Sequence, residues 1–450
     1  MAAPLAARFS ILSDVSDTPL QVAIIGGGYA GMAAAVTLAE QAIPVTVYEA
    51  GAVLGGRARR VEINGVTLDN GLHLLIGAYR ETLRLIAQVH PAPARALLRM
   101  PLDWYQHRSL HLRAPRLPAP LHLVSALLTA KGANWRERWA AIRMMRALRG
   151  ANFRLPRDIT VSALLEAHAQ GPVLTQYLWM PLCVAALNTP PSIASAQLFL
   201  NVLHDGLHAE RASSDLLIAR VDLSALFPEP AADYVRTRGG EVLTGRRVTV
   251  IDPAISGFHI TTSAEMRIFS HVVCALPPHQ VAAFLTSITV LAETMALVQA
   301  LEYQPITSVY FQFEGRVSLP APMTGLSAGV AHWLFDRETI CAQPGLVGAV
   351  ISAEGPYQDL TQEALGARVH QELAAQFGPL PPLKWLRVIT EKRATFSATP
   401  GLCRPAQKTP LKNFWLAGDY TASEYPATLE AAVRSGIVCA LGILAETKTL

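Results

Sequence analysis

The stretch that most restricts what this chain can fold into is Gly26-Gly27-Gly28-Tyr29-Ala30-Gly31, a GxGxxG. It follows a short apolar run, Val22-Ala23-Ile24-Ile25, which reads as a buried parallel strand. It opens a stretch rich in Ala, Val, Leu and Met at 30–41, suited to a helix packed on that strand. Pro44 then breaks the helix, and Val45-Thr46-Val47-Tyr48 is a second strand ending at Glu49. A bare GxGxxG is weak evidence, but one set between strand and helix, with an acid closing the next strand, predicts a dinucleotide-binding βαβ unit. Gly26 permits the tight turn, Gly28 leaves room for a pyrophosphate, and Gly31 lets helix and strand pack closely. Gly27 and Ala30 complete the loop, and the helix N-terminus turns free N–H groups and a partial positive charge towards phosphates. Glu49 is placed to accept hydrogen bonds from the adenosine ribose, and its charge disfavours a 2′-phosphate.

Two further signals narrow the dinucleotide to FAD. In Gly55-Gly56-Arg57, the arginine is placed to reach the pyrophosphate from the side opposite the helix, a contact that NAD-only domains do not need. In Leu416-Ala417-Gly418-Asp419, a carboxylate ends a C-terminal strand and suits the ribityl–phosphate side of the cofactor. The following Pro426-Ala427-Thr428-Leu429 begins a predicted helix over about 427–444, whose positive end favours charge on a reduced flavin. Strand-like runs also occur at 241–251, 258–262 and 271–276. Two apolar stretches, read as helix-rich, separate these regions. The expected organisation is a discontinuous cofactor domain (18–90, 211–280 and 386–450) and a substrate domain made of 91–210 and 281–385.

Hydrophobic residues make up 51% of the 450, charged ones 16%, and mean hydropathy is +0.27. Such a chain either spans a membrane or encloses a large apolar cavity. The best spanning candidate, 167–204, lacks Asp, Glu, Lys and Arg, yet it contains Pro172, Pro181, Asn188, Thr189, Pro190 and Pro191. Proline inside a helix costs about 3 kcal/mol, so the stretch reads as the lining of a lipid pocket. The net charge of +4 is too mild to argue for nucleic acid. Five scattered cysteines without a CxxC imply neither a disulfide framework nor a metal site and fit a reducing cytosol. Residues 1–17 lack a long apolar core and read as a flexible lead rather than a signal peptide. The segment 131–157 sets Trp135 and Trp139 among Arg136, Arg138, Arg143, Arg146, Arg149 and Arg154. It reads equally as an interfacial helix on anionic lipid or as a solvated basic helix.

With these motifs in place, the chain resembles the FAD-dependent amine oxidase and carotenoid desaturase superfamily. More narrowly it resembles the squalene-associated desaturases read as hydroxysqualene dehydroxylases of hopanoid synthesis. The narrower likeness rests on Asp69-Asn70-Gly71-Leu72-His73-Leu74-Leu75-Ile76-Gly77-Ala78-Tyr79, the block 181–191 with its Asn188-Thr189-Pro190-Pro191, Ser214-Asp215-Leu216-Leu217, Arg393-Ala394-Thr395-Phe396 and Tyr425-Pro426-Ala427-Thr428. It implies a Rossmann-like, glutathione-reductase-type α/β domain with an inserted α+β substrate domain. FAD would lie on Gly26, Gly28, Gly31, Glu49, Arg57, Gly418 and Asp419, with the backbone of Val248 against the adenine. The implied reaction takes an allylic alcohol to squalene with a reduced flavin consumed, and needs a proton donor in a dry site. His73 is the first candidate donor, Tyr79 and Asp69 weaker ones, and Asn188 a residue that orients the hydroxyl or caps a turn. Leu72 stands where the family commonly has glutamine, and Glu424 where it has a small residue. Rival readings are a carotenoid-type desaturase, an amine oxidase and a lipid carrier with a vestigial flavin fold. No second GxGxxG is present for a nicotinamide, so electrons would come from a separate donor.

Overall fold

The computed structural model describes residues 20–207, 210–254, 257–286 and 288–447; the expected lead at 1–17 lies outside them. A five-stranded parallel sheet runs in the order Glu241–Leu243, Val45–Tyr48, Val22–Ile25, His271–Cys274, Phe414–Leu416. Its central strands are buried on both faces, which is why they read as unbroken apolar runs rather than alternations. The helix Tyr29–Glu40 packs on this sheet and against the C-terminal helix Leu429–Thr447. Their contact is tight enough that a Cβ at Gly436 would lie 2.1 Å from the Ala30 carbonyl oxygen. The C-terminal helix begins at Leu429 rather than near 427, because the Thr428 hydroxyl accepts the Ala431 N–H and caps it.

The region 241–276 supplies two strands to the parallel sheet. The rest forms a separate antiparallel ribbon of Val248–Ala254, Gly257–Thr262 and Met266–Phe269, the last not expected from the sequence.

The second large sheet has seven strands in the order Leu383–Phe396, Tyr303–Phe313, Leu346–Ser352, Trp333–Asp336, Met323–Gly325, Asp103–Gln106, Leu110–Arg113. Both inserted stretches therefore meet in one sheet. The stretch 281–385 carries more helix than strand, as its helix-rich reading implies, yet it also supplies most of this sheet; Tyr303–Phe313 is hidden in the sequence because burial on both faces masks its two-residue period. One expectation is corrected. The boundary at 386 falls inside a strand, since Leu383–Phe396 pairs with Tyr303–Phe313 along its length.

One face of the sheet (Val309, Phe311, Ala349, Ile351, Val388) is covered by Leu365, Val369 and Leu373 of the helix Gln362–Phe377. The other face looks across a cavity towards the helices Met180–Leu187 and Ala196–Leu207. These come from the uncharged stretch, which breaks at Asn188 in a left-handed turn (φ 46°). Among the described residues no helix is long and apolar enough to cross a membrane. A small third sheet, Leu74–Ile76, Leu216–Ala219 and Leu97–Met100, pairs the blocks around Leu75 and Leu217.

Candidate active site

A cavity of about 870 Å³ begins at the carboxyl ends of the parallel strands and continues into the space between the second sheet and its facing helices. Its first arm is the glycine turn. Gly26 has φ 113°, and a Cβ there would lie 2.7 Å from the Ala275 carbonyl oxygen; a Cβ on Gly31 would lie 2.0 Å from the Gly26 carbonyl oxygen. Protein packing requires both glycines. At Gly28 the backbone is ordinary (φ −78°), and the nearest atom to an added Cβ is Gly56 Cα at 3.8 Å. The protein itself does not need a glycine there, and the bare position leaves room on the cavity side for a ligand. Gly27 and Gly31 do not line the cavity; they shape it, Gly27 N–H donating to Glu49 Oε2 at 2.8 Å. Gly51 N–H holds Glu49 Oε1 at 2.7 Å, so the carboxylate is fixed where it lines the cavity; Ala30 and Val248 line the same cavity.

The Gly-Gly-Arg and Ala-Gly-Asp motifs converge. Arg57 donates to Asp419 Oδ1 at 2.5 Å and to the Ala394 carbonyl at 2.5 Å, joining residues 362 apart in sequence. Gly56, Gly418, Thr428 and Leu429 line the same end. The sequence assigned no role to Ala394 or Arg404. Arg404 donates to the carbonyls of Asp419, Ser423 and Tyr425 and so shapes the loop before the C-terminal helix; burial lowers its pKa to about 10. A glycine cradle, a carboxylate fixed at the end of the second strand and an Arg–Asp pair in the same cavity are groups that fit a dinucleotide such as FAD.

His73, Tyr79 and Asn188 all line the cavity, but in unequal states. His73 Nδ1 lies 2.8 Å from the Gly71 carbonyl. A carbonyl only accepts, so Nδ1 carries the hydrogen and the neutral ring presents Nε2 as an acceptor. Burial, assisted by Arg57, lowers the His73 pKa against the opposing Gly71 bond. Burial and the charge of Glu430 raise the Tyr79 pKa well above its ordinary value. Asn188 is saturated: its amide donates to Pro305 O and Thr395 Oγ1 and its oxygen accepts the Ala353 N–H. Asp69 does not line the cavity and is corrected as a donor candidate. It is buried against Leu223 N–H and Arg337, and desolvation raises its pKa to about 6 despite that arginine. Of the two family departures, Leu72 lines the cavity, whereas Glu424 turns outward to pair with Arg154 at 2.5 Å.

The second arm is apolar. Alternate residues of the seven-stranded sheet (Ile306, Val350, Trp333, Phe335, Met323, Trp104) form one wall, as the two-residue period of a strand dictates. Leu182, Ala186, Val202 and Leu203 from the facing helices form the other.

Residues 29–444 match the model of the flavin containing amine oxidoreductase family. The chain is 30% identical to a hydroxysqualene dehydroxylase of Rhodopseudomonas palustris, over 92% of this chain and 96% of that protein. It is 24% identical to a chloroplastic 15-cis-phytoene desaturase of Arabidopsis thaliana, over 96% of this chain and 81% of that protein. The crystal structure of a cyclohexylamine oxidase from Brevibacterium oxydans superposes with a TM-score of 0.70 at 17% identity, covering 96% of this chain and 100% of that one, which establishes a shared fold. The chain is an FAD-dependent oxidoreductase that belongs to the flavin containing amine oxidoreductase family and, within it, to the family of the hydroxysqualene dehydroxylases.

Proposed function

We propose that this enzyme reductively removes the allylic hydroxyl of hydroxysqualene to give squalene and water. The observation that carries the reading is the single cavity that joins a dinucleotide cradle to an apolar arm walled by Trp104, Met323, Trp333, Phe335, Leu182 and Leu203. In the balanced reaction the C–O bond breaks, the oxygen leaves as water with one added proton, and a C–H bond forms at the same carbon by hydride. Gly28, Glu49, Arg57 and Asp419 would hold the reduced flavin, which on oxidation would supply both the hydride and the balancing proton.

The chain's own residues do the rest. The apolar walls exclude bulk water and hold the isoprenoid. His73, neutral at neutral pH, accepts the substrate O–H at Nε2 and orients it rather than serving as the acid. Tyr79 keeps its proton across the physiological range and donates a hydrogen bond at the polar end of the arm. Asn188 pins its helix to the sheet.

Photoreduced flavin and hydroxysqualene incubated with the enzyme should yield squalene on lipid analysis. An oxidising incubation with phytoene that yields a desaturated product instead would transfer the assignment to the desaturase reading, which the plant relative supports. His73→Ala should keep its flavin and lose most turnover; unchanged turnover removes His73 from the mechanism.

Electrons come from a separate donor, since the chain carries one GxGxxG. The enzyme works on an anionic membrane surface. Trp135 and Trp139 are 67% and 51% exposed on the helix Trp135–Gly150, beside exposed Leu121, Leu128, Arg143, Arg146 and Arg149. Reversing those three arginines to Glu should release the protein from anionic liposomes, and retained binding would refute the contact.

A further inference from the structure

The strand order of the second sheet ranks its lining residues by distance from the cofactor cradle. The strand Leu383–Phe396 carries Ala394, whose carbonyl Arg57 holds. Then come Ile306, Val350, Trp333 with Phe335, Met323 and finally Trp104, each on the next strand out. At about 4.8 Å per strand, five steps put Trp104 about 24 Å from the Ala394 strand. Beyond it only Leu110–Arg113 remains, and that strand lines nothing.

The Trp104 and Trp333 rings meet edge to face with centroids 4.6 Å apart. The register explains the meeting. Gly325 pairs with both Trp333 and Gln106, and its missing Cβ leaves room for the Gln106 amide, which would lie 2.4 Å from one. The two indoles thus approach diagonally across the short strand Met323–Gly325. Trp104 Nε1–H then donates at 2.8 Å to the Tyr177 carbonyl on the facing helical segment, tying sheet to helices at this end. Both indoles are buried, at 3% and 6% exposure.

We infer that the Trp104–Trp333 pair is the distal wall of the apolar arm and sets the isoprenoid length the enzyme accepts. The inference rests on the proposed function and deepens it. Shortening either indole lengthens the arm; enlarging Val350, nearer the cradle, shortens it.

The test compares Trp104→Leu, Trp333→Leu and Val350→Phe with the parent, each as flavin-loaded holoenzyme. Two readouts are taken for allylic alcohols of twenty, thirty and forty carbons: kcat/KM under reducing conditions, and binding to the oxidised enzyme from perturbation of the flavin spectrum. The two leucine variants should raise the forty- over thirty-carbon preference about tenfold, the scale that a few methylenes in an apolar pocket command. Val350→Phe should shift preference towards twenty carbons by a similar factor. Preferences unchanged in variants that keep full flavin overturn the inference. If the parent turns over none of these alcohols, the proposed function fails, and the length dependence of binding alone decides the wall. Val350→Phe keeps both indoles, so the idea stays testable if either leucine variant misfolds.

Discussion

The two glycines Gly28 and Gly31 lie three residues apart and should respond differently to the same methyl group, the first losing flavin alone and the second losing stability as well. In Gly28→Ala the new Cβ has ordinary clearance, 3.8 Å to the nearest protein atom, and the backbone already sits where any residue is comfortable. The cost to the fold is the exchange of Gly for Ala at a helix N-cap, about 1 kcal/mol or less. That is a fall in Tm of at most about 2–4 °C for a chain of this size. If the pyrophosphate rests on this face, as proposed, the same methyl group occupies its place, and a loss of about 2.7 kcal/mol there weakens flavin binding about 100-fold. In Gly31→Ala the Cβ would lie 2.0 Å from the Gly26 carbonyl oxygen, so the helix must retreat from the strand by more than about 1 Å. Overpacking of that kind costs about 1–3 kcal/mol, and stability and flavin should fall together. Urea unfolding of the flavin-free proteins reads the first quantity, and visible flavin absorbance after dialysis reads the second. Retention of flavin at parental affinity in Gly28→Ala would refute the argument, because the bare position would then have no ligand to explain it.

Three other outcomes follow from the same geometry. Asp419→Asn should weaken flavin retention about tenfold while changing stability by less than about 1 kcal/mol, since Arg57 is a third exposed and keeps its bond to Ala394; spectral titration and urea melts separate the two. Glu430→Ala should cost about 3 kcal/mol or more in urea unfolding, because this fully buried carboxylate accepts Glu81 N–H, Thr82 N–H and Thr82 O–H and pairs with Arg434. A cost under about 1 kcal/mol would mean that it does not cap the helix Arg80–Val89 from outside. Asp69 has a folded pKa of about 6 against 3.8 when free, so between those values the folded state binds more protons and this group's contribution to stability falls as pH rises. Comparing parent and Asp69→Asn by urea midpoints across that window should show the slope only in the parent; parallel curves would contradict it.

What the sequence made legible were features whose cause is local. The glycine turn, Glu49 and the break at Asn188 each depend on a few consecutive residues: the turn opens its helix, Glu49 follows its strand, and Asn188 ends its helix. The seven-stranded sheet was hidden because its central strands are buried on both faces, which removes the alternation that marks a strand. The convergence of Arg57 with Asp419 and Ala394 was hidden for a different reason: each motif suggested a cofactor contact alone, and nothing local says that they meet. His73 was legible as a residue near the cofactor but not as an acceptor. That property comes from one bond to Gly71 O, which fixes the tautomer, and from burial, which no residue pattern reports.

The junction between the two arms of the cavity is a dipeptide, and its two side chains face two solvents. His73 is fixed by the Gly71 carbonyl on the cradle side, while Leu72 lies over Gly348 of the second sheet, so close that a Cβ there would be 2.6 Å from its Cδ1. Gly348 is therefore bare so that Leu72 can rest flat on the sheet. A glutamine at position 72 would bring an amide to that surface, where the lining is Phe335, Val350 and Met323 and an unpaired polar group costs about 1–3 kcal/mol. Leucine removes that demand. A reaction that must hold an allylic hydroxyl beside the flavin, and keep water from the apolar chain around it, is served by such a boundary.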